Sequence, residues 1–223
     1  MRPARQIIGE RATPVLTVDG IGPDPSLIKA MAHALAPFPP AVNNYPGLRR
    51  VISESDGAAW AYVLDLLEQA TPFIAGVFDL DGFDLVEASF SLVTQAPAVL
   101  TPVQRMPHFD SVESDFYAVM HYVADCAGTA FYRHRASGIE VIEPDTVDSY
   151  VAAARRAAAT APTEYIFGNT DSYACIGTVE GLSGRLVAYP GRLLHSGIIP
   201  PGFSGSADPR QGRLTTNIFI RGH

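Results

Sequence analysis

The 223-residue chain predicts one α+β domain, a helical layer packed against a β-sandwich. Three features carry this. Apolar stripes at helical spacing occupy the first third, strand-like segments fill 76–143 and return after Tyr165, and one alanine-rich helix divides the two strand blocks. The length suits a single domain spanning 1–223, with 1–75 as a helical support layer and 76–223 as a β core carrying an inserted helix at 145–160.

The first helix starts at Pro25 or Ser26, shows Leu27, Ile28, Met31 and Leu35 along one stripe, and stops at the prolines that follow. The second is capped by Ser55 or Asp56, carries Trp60, Val63, Leu64 and Leu67, and ends before Pro72. Between them NNYPGLRR reads as a turn. An Asp-Gly pair at 81–82 then signals a turn, followed by alternation at Val86, Ala88, Phe90 and Leu92. DFYAVMHYVADCAGTAFYRHR predicts two strands joined by a turn at Gly128, with both faces apolar, as inside a sandwich. PDTVDSYVAAARRAAATAP is the inserted helix, offering either a dimer face or a cover over the sheet. YACIGTVE, GRLVAYPG and GRLTTNIFIRGH complete the strands.

Composition narrows the partners. A net charge of −7 and a single lysine, Lys29, argue against nucleic acid, whose phosphates need clustered cations. No apolar run reaches the length of a membrane span, and the N-terminus lacks an apolar leader. Cys126 and Cys175 are too few for a disulfide framework, so a reducing, cytoplasmic setting is expected.

The chemistry centres on RMPHFDSVES. Residues two apart on a strand share a face, so His108 and Asp110 project together, an imidazole and a carboxylate suited to a divalent metal. A third ligand has few sources. His33 lies in a helix, His121 alternates to the opposite face of its strand, His134 sits in a basic turn and His223 ends the chain. That leaves His195, at a late strand in YPGRLLHSG. Beyond it Arg213 and Thr215 share a face and make a carboxylate clamp, a guanidinium fork with a hydroxyl.

His108-x-Asp110, His195 and Arg213-x-Thr215, in that order, resemble the Fe(II)/2-oxoglutarate-dependent dioxygenases. HYVADCAGTAFYRH and YPGRLLHSG resemble the prolyl-4-hydroxylase branch, over roughly residues 85 to 221. The resemblance implies a double-stranded β-helix (jelly roll) with the N-terminal helices packed on one sheet. It also implies Fe(II) on His108, Asp110 and His195, and 2-oxoglutarate held by Arg213, Thr215 and Tyr122. With O2 as oxidant, an unactivated C–H bond is hydroxylated and succinate and CO2 are released. Halogenases of this superfamily carry a small residue where Asp110 stands, so its carboxylate favours hydroxylation or desaturation. The gap from His195 to Arg213 exceeds the family's usual spacing because of the PPGFSGSADPRQG loop, and Arg210 in that loop is the alternative clamp.

Substrate contacts are expected from loops at the open end: Asn43, Asn44, Tyr45, Arg133, Arg135, Asn217 and Arg221. The expected substrate is a small molecule, an amino-acid derivative or a peptidyl residue. Two other classes use the same triad, a zinc-dependent hydrolase and a non-catalytic cupin-like binding protein. The clamp speaks against the hydrolase, which needs no dicarboxylate site.

Overall fold

The computed structural model describes residues 1–42 and 44–223. The elements run β1 (Arg2–Ile8), β2 (Thr13–Asp19), α1 (Pro25–Ala34), β3 (Gly47–Ile52), α2 (Ala58–Phe78), β4 (Phe83–Val93), β5 (Phe116–Tyr122), β6 (Cys126–His134), α3 (Val147–Thr160), β7 (Tyr173–Gly181), β8 (Arg185–Pro190), β9 (His195–Gly197) and β10 (Leu214–Gly222). A seven-stranded sheet has the order β1-β2-β8-β5-β10-β4-β3, and a three-stranded sheet the order β7-β6-β9. Every pairing between these strands is antiparallel.

The period-2 pattern sorts these strands into layers. On β10, Leu214, Ile218 and Ile220 face Tyr62, Leu66 and Ile74 of α2, together with Ile28 of α1. The opposite parity, Thr215, Asn217 and Phe219, faces the space between the sheets. Tyr122, Val187 and Tyr189 of the large sheet meet Phe131 and Val179 of the small one there. On the outer face of the small sheet, Tyr150 and Ala158 of α3 cover Ala130, Tyr132 and Tyr173. Each large apolar side chain so buried contributes roughly 1.5–3 kcal/mol.

Four differences from the sequence reading have physical causes. The first 75 residues hold three strands as well as two helices. β1 was hidden because six of its seven residues are exposed, so no apolar alternation marks it. NNYPGLRR is a turn only in its first half, since Gly47–Ile52 pairs with β4 as an edge strand. α2 runs through Pro72 to Phe78, held there by Ile74 in the core and by Phe78 against Tyr117 at 4.7 Å. Gly128 lies within β6 rather than at the turn, at φ +97° and beside a register shift. A Cβ there would come within 1.9 Å of the Val179 carbonyl oxygen.

Candidate metal centre and its cavity

The two histidines are brought together by backbone. His108 N–H donates to the His195 carbonyl at 2.8 Å, and His195 N–H donates back at 2.9 Å. Such a reciprocal pair sets two antiparallel residues directly opposite with side chains on one face. The rings accordingly lie 4.2 Å apart. Asp110 is seated by its own N–H on the Gly191 carbonyl at 2.7 Å, just past β8. Behind this segment the Tyr150 hydroxyl of α3 donates to the Pro107 carbonyl at 3.3 Å, and Phe109 packs edge-on to the same ring.

The result is a tight donor set. One ligand atom from each of His108, Asp110 and His195 lies within 4.8 Å of the others. His195 Nδ1 is 2.8 Å from the Leu193 carbonyl, which requires the proton on Nδ1 and leaves the Nε2 lone pair facing Asp110 Oδ2 at 3.5 Å. Asp110 Oδ2 is buried with no hydrogen-bond partner among the described residues. A carboxylate oxygen so placed calls for a cation.

The electrostatics agree. Burial holds His195 down to about 4. His108 is also held to about 4, by burial and then by His195. His108's side chain is 54% exposed toward the opening, so water there weakens the effect. Burial raises Asp110 to about 6, with His108 and Arg49 pulling the other way. At neutral pH both imidazoles are therefore neutral and the carboxylate is ionised, the protonation states a divalent metal requires.

The triad opens into a cavity of about 410 Å³. Arg213 and Thr215 line it, as do Asn44, Tyr45 and Asn217. Arg213 is 8% exposed and donates from Nη2 to the Gly128 carbonyl at 3.1 Å. A Cβ on Gly197 would stand 3.3 Å from that nitrogen, so the bare glycine leaves the guanidinium its place. Arg210, by contrast, is exposed and turned back on Asp208.

Some expected contacts lie elsewhere. Tyr122 is fully buried, its hydroxyl is 2.7 Å from the Thr129 hydroxyl, and it does not line the cavity. Tyr45 stands beside Thr215 and Arg213, and burial raises it to about 12. Arg133 pairs with Glu10 and Glu140, Arg135 with the Thr170 carbonyl, and Arg221 with Glu113 and Asp115. None of these three arginines lines the cavity, because nearby carboxylates and carbonyls satisfy them at the surface. Asn43 lies outside the described residues. His121 faces α2, as strand alternation requires, with Nδ1 2.7 Å from the Tyr62 hydroxyl.

The sequence reading missed Arg49, Phe116, Tyr165 and Phe219 as cavity residues. Phe219 shares its parity with Thr215 and Asn217, a signal that was present. Arg49 required recognition of β3, and Tyr165 lies in a loop with no periodic signal.

Among the described residues, no helix is long and apolar enough to cross a membrane. A family model described as "Family of unknown function (DUF6445)" matches residues 1–220. No curated protein matches the sequence. Among solved structures, a Pseudomonas putida prolyl-4-hydroxylase is similar at TM-score 0.51 and 14% identity, over 96% of this chain and 95% of that one. HygX from Streptomyces hygroscopicus, solved with iron bound, is similar at TM-score 0.56 and 12% identity, over 94% and 83%. AviO1 from Streptomyces viridochromogenes is similar at TM-score 0.53 and 19% identity, over 93% and 89%. At these identities the likeness is one of fold.

Proposed function

The chain belongs to the DUF6445 family, and we propose that it acts there as a non-haem Fe(II)/2-oxoglutarate-dependent oxygenase. One observation carries this: a His-Asp-His donor set with an orphaned carboxylate oxygen opens into the same cavity as a buried arginine with a neighbouring threonine. The two-sheet sandwich is then a double-stranded β-helix, in line with its similarity to a prolyl-4-hydroxylase and to HygX, which has also been solved with nickel and 2-oxoglutarate bound.

His108, Asp110 and His195 would hold Fe(II). With 2-oxoglutarate bound there, such a metal would supply oxidation by O2 of a nearby C–H bond, with succinate and CO2 as co-products. The chain's own residues orient the reactants. Arg213 offers a charged N–H fork and Thr215 a hydroxyl to the far carboxylate, and the buried hydroxyl of Tyr45 stands beside them. Leu193 fixes the His195 ring through Nδ1. The outcome we infer is hydroxylation of a small or amino-acid-like substrate, since the cavity must hold both reactants. The buried arginine separates this reading from a zinc hydrolase.

The test is succinate release from 2-oxoglutarate by the Fe(II)-loaded protein, alongside visible absorption of the anaerobic Fe(II)–2-oxoglutarate complex. Loss of outer partners alone costs metal sites ~10–100-fold, so Asp110→Ala is expected to lower turnover by roughly 100-fold or more. Arg213→Met is expected to raise the 2-oxoglutarate requirement by roughly 10–100-fold, the loss of one charge-assisted fork. Tight zinc retention with no 2-oxoglutarate binding would instead favour a hydrolase.

A further inference from the structure

We propose that Arg49, with Asn217, anchors an anionic group of the primary substrate, which makes that substrate a small acid with an apolar body. The inference rests on the oxygenase reading and names the substrate class of the same site. With Arg213 committed to 2-oxoglutarate, a second carboxylate in the cavity needs a second cation, and Arg49 lines that cavity.

Register places it there. Arg49 on β3 opposes Ser91 on β4, which opposes Thr215 on β10, so these residues share one row across the sheet. The Arg49 side chain is 13% exposed. Its Nε donates to Ser89 Oγ at 3.0 Å, its Nη2 pairs with Glu87, and its guanidinium carbon lies 5.9 Å from the Phe219 ring centroid. These contacts fix the plane of the fork. These two bonds use Nε and Nη2 and do not involve Nη1, so part of a five-donor group stays available for a planar anion. Glu87 does not line the cavity and its side chain is 36% exposed, so water screens its charge more than that of Arg49.

Asn217 supplies a second observation. It is one alternation step from Thr215 on the same face, and Oδ1 is buried without a partner among the described residues. Rotation of the amide presents either an acceptor or an N–H donor to a ligand at that point. Phe116 and Phe219, stacked at 5.3 Å, and Met120 line the same cavity and would receive the apolar body. A purely structural Arg49–Glu87 pair leaves the orphaned Asn217 amide oxygen unexplained.

Calorimetry on Zn(II)-loaded protein saturated with 2-oxoglutarate tests this without turnover. The probes are matched acids and amides, hexanoate with hexanamide and phenylacetate with phenylacetamide. Each acid is expected to bind at least tenfold more tightly than its amide. The preference is expected to vanish in Arg49→Met, to survive in part in Arg49→Lys, and to shrink in Asn217→Ala, which leaves the Arg49–Glu87 pair in place should Arg49→Met fail to fold. Equal binding of acids and amides, no binding of either, or a preference that survives Arg49→Met overturns the proposal while the oxygenase reading stands. Failure of 2-oxoglutarate itself to bind the metal-loaded protein removes that reading, and the acid anchor with it.

Discussion

His121 is completely buried on the helix side of β5, with Tyr62 between it and Thr216. Burial holds it down to about 4, against an ordinary value of 6.5. At pH 7 it is neutral whether folded or unfolded and contributes no pH dependence. As pH falls through 6.5 the unfolded chain takes up a proton that the folded chain refuses until about 4. Stability is therefore lost across that window, by on the order of 3 kcal/mol for this residue alone. Urea unfolding of metal-free protein at pH 7 and pH 4.5 is expected to show the loss, and His121→Phe to reduce it by the share of one proton. An unchanged slope in that variant would mean the site is already solvated. In metal-free protein His108 and His195, held down by burial too, add to the same loss, while Asp110, raised to about 6, takes up its proton first in the folded chain and offsets part of it.

Among the elements, α2 carries a proline at an exposed position in its second half, where the Glu68 carbonyl loses its intrahelical donor. Burial of Ile74 and the Phe78–Tyr117 contact keep the helix going past it. Pro72→Ala is expected to raise stability by about 1–2 kcal/mol, the regained helix bond less the freedom returned to the unfolded chain, read as a shifted urea midpoint. β6 behaves oppositely. Gly128 stands at positive φ against the Val179 carbonyl while its own carbonyl accepts from Arg213. Gly128→Ala is expected to cost at least about 2 kcal/mol and, on the proposed oxygenase reading, to weaken 2-oxoglutarate binding together with stability.

At the scale of the whole molecule, the site joins parts distant in sequence. His195 belongs to the three-stranded sheet, His108 bridges to it, and Asp110 hangs on the end of β8 in the seven-stranded one. A metal in the triad would therefore tie the two sheets together and link its binding to global stability. At 100 times the dissociation constant a bound ion stabilises by about 2.7 kcal/mol, or roughly 5–10 °C in Tm for a chain of this size. Zinc added to chelator-treated protein is expected to raise Tm by that amount, and His195→Ala to abolish the rise.

The sequence by itself disclosed the donor types and the parity of the true strands. His121 on the far face and Thr215 with Asn217 on one side follow from a period of two, which the chain carries locally, whereas His108 and Asp110, expected on a strand, lie outside one, His108 in an isolated bridge to His195 and Asp110 in a bend seated on Gly191. It also disclosed α1, α3 and most of the strands, where apolar spacing is regular. Only the tertiary structure decided which distant groups meet. The reciprocal bridge of His108 with His195, the buried seat of Arg213 on Gly128, the pairing of Tyr122 with Thr129, and the arrival of Arg49 through an edge strand each depend on register between strands far apart in the chain. Register is set by packing across sheets, and no local pattern encodes it.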